Sequence, residues 1–386
     1  LNKSVMSSAS ARQTDLDWIR ILMTLVVVLY HCSMFFNPQP WHVKNNELDN
    51  GFIFAYTNLA VNGMMPIFFA VSGISAYYSL QKRDSKGFLK ERLLRLGVPL
   101  AFGVFVLSPP QVYMERSSHH QFAGSLLDFL PHYFDGLYLN IGGQGNFAFA
   151  GLHLWYLFFL LLFSLLTAPL FVRTKRARAE KPFGIRHFAL MLVSLFVLAA
   201  LVNDAGNLGG WGILYYLTIY ICGFYFFSKE PFQAFVRRSG LATGIGAASS
   251  TLIFILWMRH GIPASGTALS ALFVLDRVVS CWCGMLFVFF LADRYLKQTR
   301  GPALSYGMEA SMPIYVMHQP VIVTIGYLIY ALRWPVPAKL LFLLAAVSLV
   351  ISVLYHFVIR RNNVLRVLFG MKAVRRRLKK NSESRS

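Results

Sequence analysis

Apolar residues run through this chain in long blocks, separated by short polar stretches. Blocks of about 20 residues mark helices able to cross a hydrocarbon core; they fall roughly at 18–36, 53–80, 95–115, 152–172, 188–205, 211–228, 241–258, 271–292, 311–331 and 340–359. The pattern predicts an all-α fold, a polytopic membrane helix bundle of about ten transmembrane helices. It divides the chain into a polar N-terminal segment (1–17), an integral-membrane domain (18–359) and a basic tail (360–386). The loop 116–151 is too long for a mere connector and is expected to be a lid or substrate-binding segment. Within it, residues 125–139 mix aromatic and polar groups, which predicts a short interfacial helix interrupted near Pro131.

Composition agrees with this class: 56% of residues are hydrophobic and 14% charged. A net charge of +21 raises the question of nucleic acid, and the distribution of charge answers it. Of the 37 Lys and Arg, all but Lys44, Arg116, Arg259, Arg277, Arg333 and Lys339 fall on one side of the predicted bundle. That asymmetry follows the positive-inside rule and puts both termini in the cytoplasm. The excess is a topology signal and an attraction to anionic lipid, so no nucleic acid partner is needed. The tail from Arg360 onward is expected to lie as a helix on the membrane surface. Cys32, Cys222, Cys281 and Cys283 fall in predicted helices without metal-ligand spacing and read as packing residues. No internal repeat is visible, which weakens an inverted-repeat transporter reading.

Candidate chemistry lies where polar groups interrupt the apolar blocks. In the first, Asp17-Trp18-Ile19-Arg20 is followed by an uncharged run to His31. Eleven residues make three turns plus about 20°, so Arg20 and His31 share a face, ~16 Å apart. An ionisable group at that depth is costly and calls for a partner or a cavity. Arg92 and Arg95, three apart at the cytoplasmic start of the third helix, present two guanidinium forks suited to phosphate or pyrophosphate. Further polar groups are Ser72 in a Gly/Pro-rich stretch expected to break the second helix (62–73), His153 and Trp155 at the outer start of the fourth, Asp276 and Arg277 in the eighth, and His318 and Gln319 in the ninth. For each, a hydrogen bond between helices is the competing reading.

These motifs together resemble the membrane-bound acyltransferase 3 family. The similarity rests on Asp17-Trp18-Ile19-Arg20 with His31, Trp41-His42-Val43, Phe68-Phe69 through Ser72-Gly73, Glu91-Arg92 to Arg95 with Gly97-Val98-Pro99, His153-Leu-Trp155, and His318-Gln319-Pro320. The resemblance implies transfer of an acyl group, acetyl or succinyl, from cytoplasmic acyl-CoA to a hydroxyl of a glycan or related acceptor. Transfer would occur at the outer face of a bacterial inner membrane, with no bound cofactor and no metal. His31 is then the expected catalytic base and Arg20 a donor-side orienting group, with Arg92 and Arg95 as phosphate contacts. Asp17, Ser72, His153, Trp155, Asp276, Arg277, His318 and Gln319 would line the site or the acceptor mouth. Direct transfer and an acyl-histidine intermediate both stay open. A succinyl group would bring a carboxylate for which Arg277 is one candidate, unless Asp276 neutralises it. The rival from another class is a transporter or flippase that moves a polar solute or glycan without acyl chemistry.

Overall fold

The computed structural model describes residues 14–174, 182–203 and 207–374. Among them the regular structure is helical, and extended pairing is confined to two isolated bridges, Leu137 with Phe147 and Leu208 with Trp211. In chain order the main helices are α1 (Thr14–Met34), α2 (Phe52–Lys82), α3 (Ser85–Ser118), α4 (Leu152–Thr174), α5 (Ile185–Leu201), α6 (Ile213–Phe227), α7 (Glu230–His260), α8 (Ala268–Leu296), α9 (Pro302–Ile329), α10 (Val336–Ile359) and the short α11 (Asn363–Leu368). Eight of these are long and apolar enough to cross a membrane among the described residues, and the chain is an all-α polytopic membrane bundle. The shorter α5 and α6 occupy the expected fifth and sixth spans. The 17 residues of α5 rise only about 25 Å, less than a hydrocarbon core of ~30 Å.

The boundaries differ from expectation where polar residues extend a helix. α1 begins a turn early, at Thr14, with Asp15 and Asp17 in its first turn, where carboxylates complement the helix dipole. α3 begins at Ser85 rather than near 95, because Asp84 caps it by accepting from the Gly87 amide at 2.9 Å. Two π-helical turns, Leu93–Gly97 and Gly103–Leu107, interrupt α3 and rotate the faces on either side of them. The break expected over 62–73 does not occur: α2 runs unbroken through Pro66. Gly73 serves a helix crossing instead. A Cβ there would stand 2.1 Å from the Tyr220 carbonyl oxygen, and one on Gly223 would stand 2.5 Å from that of Ala70. Only glycines let α2 and α6 approach so closely.

α2 is the central helix, with 72% of its apolar window buried. α1 packs against α2 and α9, while α6 and α8 cover other faces of α2. The short helix interrupted near Pro131 forms as predicted, as Leu126–Phe129 capped by Ser125 and a 3₁₀ turn at Pro131–Phe134. Cys32, Cys281 and Cys283 are buried and Cys222 half-buried, all as free thiols. The described part of the tail forms the short helix α11, held against α9. Glu309 on α9 binds Arg360 at 3.1 Å and Arg366 at 2.9 Å. Those pairs fold α11 back onto the bundle, with Arg366 buried and Gly370 against Met312 and Pro99. Residues 1–13 and 375–386, most of the proposed N-terminal segment and the end of the tail, lie outside the described residues.

Candidate active site

Two cavities enter the bundle from opposite helix ends. The first, about 900 Å³, is walled by His31, His42, Asn62, Tyr138, His153, Trp155, Arg277 and Gln319 among others. Here α1 and α9 meet, and His31 Nδ1 lies 2.6 Å from His318 Nε2 with the ring planes 4° apart. The other His318 nitrogen, Nδ1, is 2.6 Å from the Tyr315 carbonyl oxygen, which can only accept. His318 therefore carries its proton on Nδ1, and its Nε2 accepts from His31 Nδ1–H. With both rings neutral, the lone pair of His31 is on Nε2, the form a general base requires. Trp41 stacks on His31 at 5.1 Å between centroids. His153 donates Nε2–H to the Val316 carbonyl at 3.0 Å, while its buried Nδ1 has no protein partner.

A second polar chain runs alongside. His42 Nδ1–H donates to Glu115 Oε2 at 2.5 Å, and the Gln319 amide donates to His42 Nε2 at 3.0 Å. Fully buried Glu115 also accepts from Tyr138 Oη at 2.7 Å and from the Gly142 amide at 2.8 Å. Arg116 completes the knot, donating to Asn146 Oδ1, Gln121 Oε1 and the Gly145 carbonyl. Burial and the Glu115 carboxylate push the Tyr138 phenol well above its ordinary range, so it stays a neutral donor. The loop 116–151 is thereby tied to the histidine cavity through one buried carboxylate.

The other cavity, about 840 Å³, lies at the basic end. Among the described residues, Arg20, Lys82, Arg83, Arg92, Arg95, Arg366 and Lys372 line it against two acids, Glu91 and Glu309. Arg20 pairs with Asp17 at 3.0 Å and hydrogen-bonds to Ser75. Arg92 lies over Phe88, 5.1 Å from the ring centroid, and Arg95 is 3.9 Å from Glu91. Ser72, expected to line the site or the acceptor mouth, lies in this cavity, where its hydroxyl meets Tyr156 Oη at 2.7 Å.

The structure thus brings His31, His318, Gln319, His153, Trp155 and Arg277 together at one end and Arg20, Asp17, Ser72, Arg92 and Arg95 at the other. Asp276 belongs to neither cavity wall. Its Oδ2 is buried without a hydrogen-bond partner, and it does not neutralise Arg277, because the two adjacent side chains leave the helix in different directions. Arg277 instead donates to Asn62 Oδ1 at 3.0 Å and the Gly210 carbonyl at 2.9 Å, and it lies 4.5 Å over Trp211. Sequence reasoning gave no role to Glu115, Tyr138, Glu309, Arg366 or Tyr315. For Glu115 a signal existed: an acidic residue beside Arg116 at the outer end of an apolar helix.

A multi-pass bundle with a histidine pair beside one cavity and a basic second cavity is the setting of a membrane acyltransferase. The chain belongs to the acyltransferase 3 family, whose acyltransferase domain matches residues 13–357. Among individual proteins it is similar to glucans biosynthesis protein C of Salmonella schwarzengrund, Salmonella typhi and Salmonella typhimurium. With each it is 24% identical over 349 residues, covering 83% of this chain and 85% of the relative. No solved structure matches the chain.

Proposed function

We propose that this enzyme transfers an acyl group from cytoplasmic acyl-CoA to a glycan hydroxyl at the outer face of a bacterial inner membrane. The observation that carries the reading is the pairing of a neutral, tautomer-fixed His31 in one cavity with a cation-rich second cavity that approaches it from the opposite helix ends. The excess of cations suits the phosphates of a nucleotide-bearing thioester, with Arg92 and Arg95 as forks. Basic residues gathered at that end support its cytoplasmic side, ten passes including α5 and α6, and cytoplasmic termini. The names of the similar proteins support a glycan acceptor.

In direct transfer, the acceptor oxygen attacks the thioester carbonyl as His31 Nε2 takes its proton. The new C–O bond forms, the C–S bond breaks, and the proton returns from His31 to the departing thiolate. His318 holds the His31 tautomer and shares the charge that develops. Attack by His31 Nε2 itself, giving an acyl-histidine that the acceptor then resolves, is the covalent variant. Arg277 is bound only to neutral acceptors among the described residues, which suits the distal carboxylate of a succinyl group. Membranes supplied with acyl-CoA and glycan test the reading. Wild type releases free thiol and acylated glycan, and His31→Ala loses about 10²–10⁴-fold of both. Full transfer by His31→Ala would remove the base assignment; glycan movement without thiol release would favour the transporter reading.

A further inference from the structure

Tyr315 is the one side chain that lines both cavities among the described residues. It lies on α9 one turn before His318 and is 6% exposed. Its hydroxyl donates to the His153 carbonyl at 2.6 Å, which ties α9 to the start of α4. On the basic side its ring meets Tyr156 edge-on, with centroids 5.8 Å apart, and Tyr156 is bound to Ser72 on α2. On the histidine side it faces His153 and His318 at 6.0 and 5.7 Å. Two tyrosines anchored on three helices therefore fill the space between a chamber that holds cations and a chamber that holds the base. A donor gripped by its phosphates in the first must present its thioester carbonyl to His31 in the second, and the short route passes Tyr315.

We propose that Tyr315 is the partition on this route: it seals the two chambers from each other, leaves the His153 carbonyl to admit the acyl-bearing arm, and limits the size of the acyl group that passes. The proposal rests on the acyl-CoA reading above and adds to it a residue that decides coupling and acyl length. The seal protects the thioester. Without it, a water oxygen attacks the carbonyl carbon, the C–S bond breaks, and one water proton ends on sulfur, releasing free acid and free thiol with no acceptor consumed. The aromatic ring provides the seal, and the hydroxyl only parks it.

The experiment uses full-length protein in nanodiscs and a series of acyl-CoA donors from two to eight carbons. Thiol release is measured with and without glycan, and acylated glycan by mass spectrometry. The proposal expects Tyr315→Ala to raise acceptor-independent thiol release about tenfold and to shift the preferred donor toward longer chains. Tyr315→Phe, which keeps the ring, is expected to retain the wild-type ratio of transfer to hydrolysis and the wild-type chain-length limit. Thermal melting of each variant confirms folding, and Tyr315→Leu replaces the alanine variant if that fails to fold. A folded alanine or leucine variant with wild-type coupling and chain-length preference overturns the partition alone. Wild-type protein that releases no thiol with donor and glycan together overturns the acyl-CoA reading, and the partition with it.

Discussion

At the scale of residues, the proposed mechanism depends on where two protons are held. The Tyr315 carbonyl fixes the His318 proton, and His318 fixes that of His31. His318→Ala should lower kcat about 10²-fold while leaving donor KM close to wild type, because it removes the partner that orients the base and not a donor contact. A fall confined to donor KM would contradict this. Glu115 makes a different prediction, since it is fully buried and holds His42, Tyr138 and the Gly142 amide. Glu115→Gln keeps the shape but weakens charge-assisted bonds that contribute about 1.5–3 kcal/mol each. The expected outcome is a lower melting temperature together with a raised acceptor KM, read by calorimetry and initial rates. Arg277→Ala should raise KM about tenfold for a succinyl donor and leave an acetyl donor unaffected, since only the former offers it a carboxylate. His31 was legible as a candidate position from its depth in an uncharged run. Its partner was not, since His318 was one of several polar groups on other helices until packing brought the two rings together.

At the scale of elements, helices were legible where hydropathy was uniform and misjudged where polar residues belonged to them. The start of α3 was hidden because polar Ser85, Lys86 and Lys90 precede the apolar run, whereas the Asp84 cap starts the helix ahead of them. Gly73 of α2 illustrates the opposite error. It looked like part of a break and is a contact, because a glycine in an apolar run signals close approach only once the neighbouring helix is known. Gly73→Leu should therefore cost more than the ~1–3 kcal/mol of ordinary overpacking, because the atoms met are Tyr220 and Gly223 backbone. Loss of the folded monodisperse species in detergent would show it, and a variant with unchanged melting would refute the crossing. The tail gives the third case. Ending the chain at Asn362 removes α11, Arg366 and Lys372 from the basic cavity and should raise donor KM several-fold with little change in kcat.

At the scale of the whole molecule, charge asymmetry and the two cavities meet. In the proposed topology the basic cavity faces the cytoplasm, so a reporter fused after residue 374 should be active only there. The cation-rich cavity adds a salt dependence: donor KM should rise between 0.05 and 0.5 M salt as the Debye length falls from above 10 Å toward 4 Å. Acceptor KM, set by the histidine cavity, should change far less.

By itself the sequence determined the class of fold, the run of apolar helices, the sidedness signal and the shared face of Arg20 and His31. All of these depend on local quantities: hydropathy over about 20 residues and a rise of 1.5 Å per residue. Tertiary structure alone decided that His31 meets a histidine 287 positions away, that Glu115 reaches back 73 positions to His42, and that the tail closes the basic cavity. It also placed one tyrosine between the two chambers. Partner choice among distant helices follows from how their surfaces pack, and packing has no local period to read.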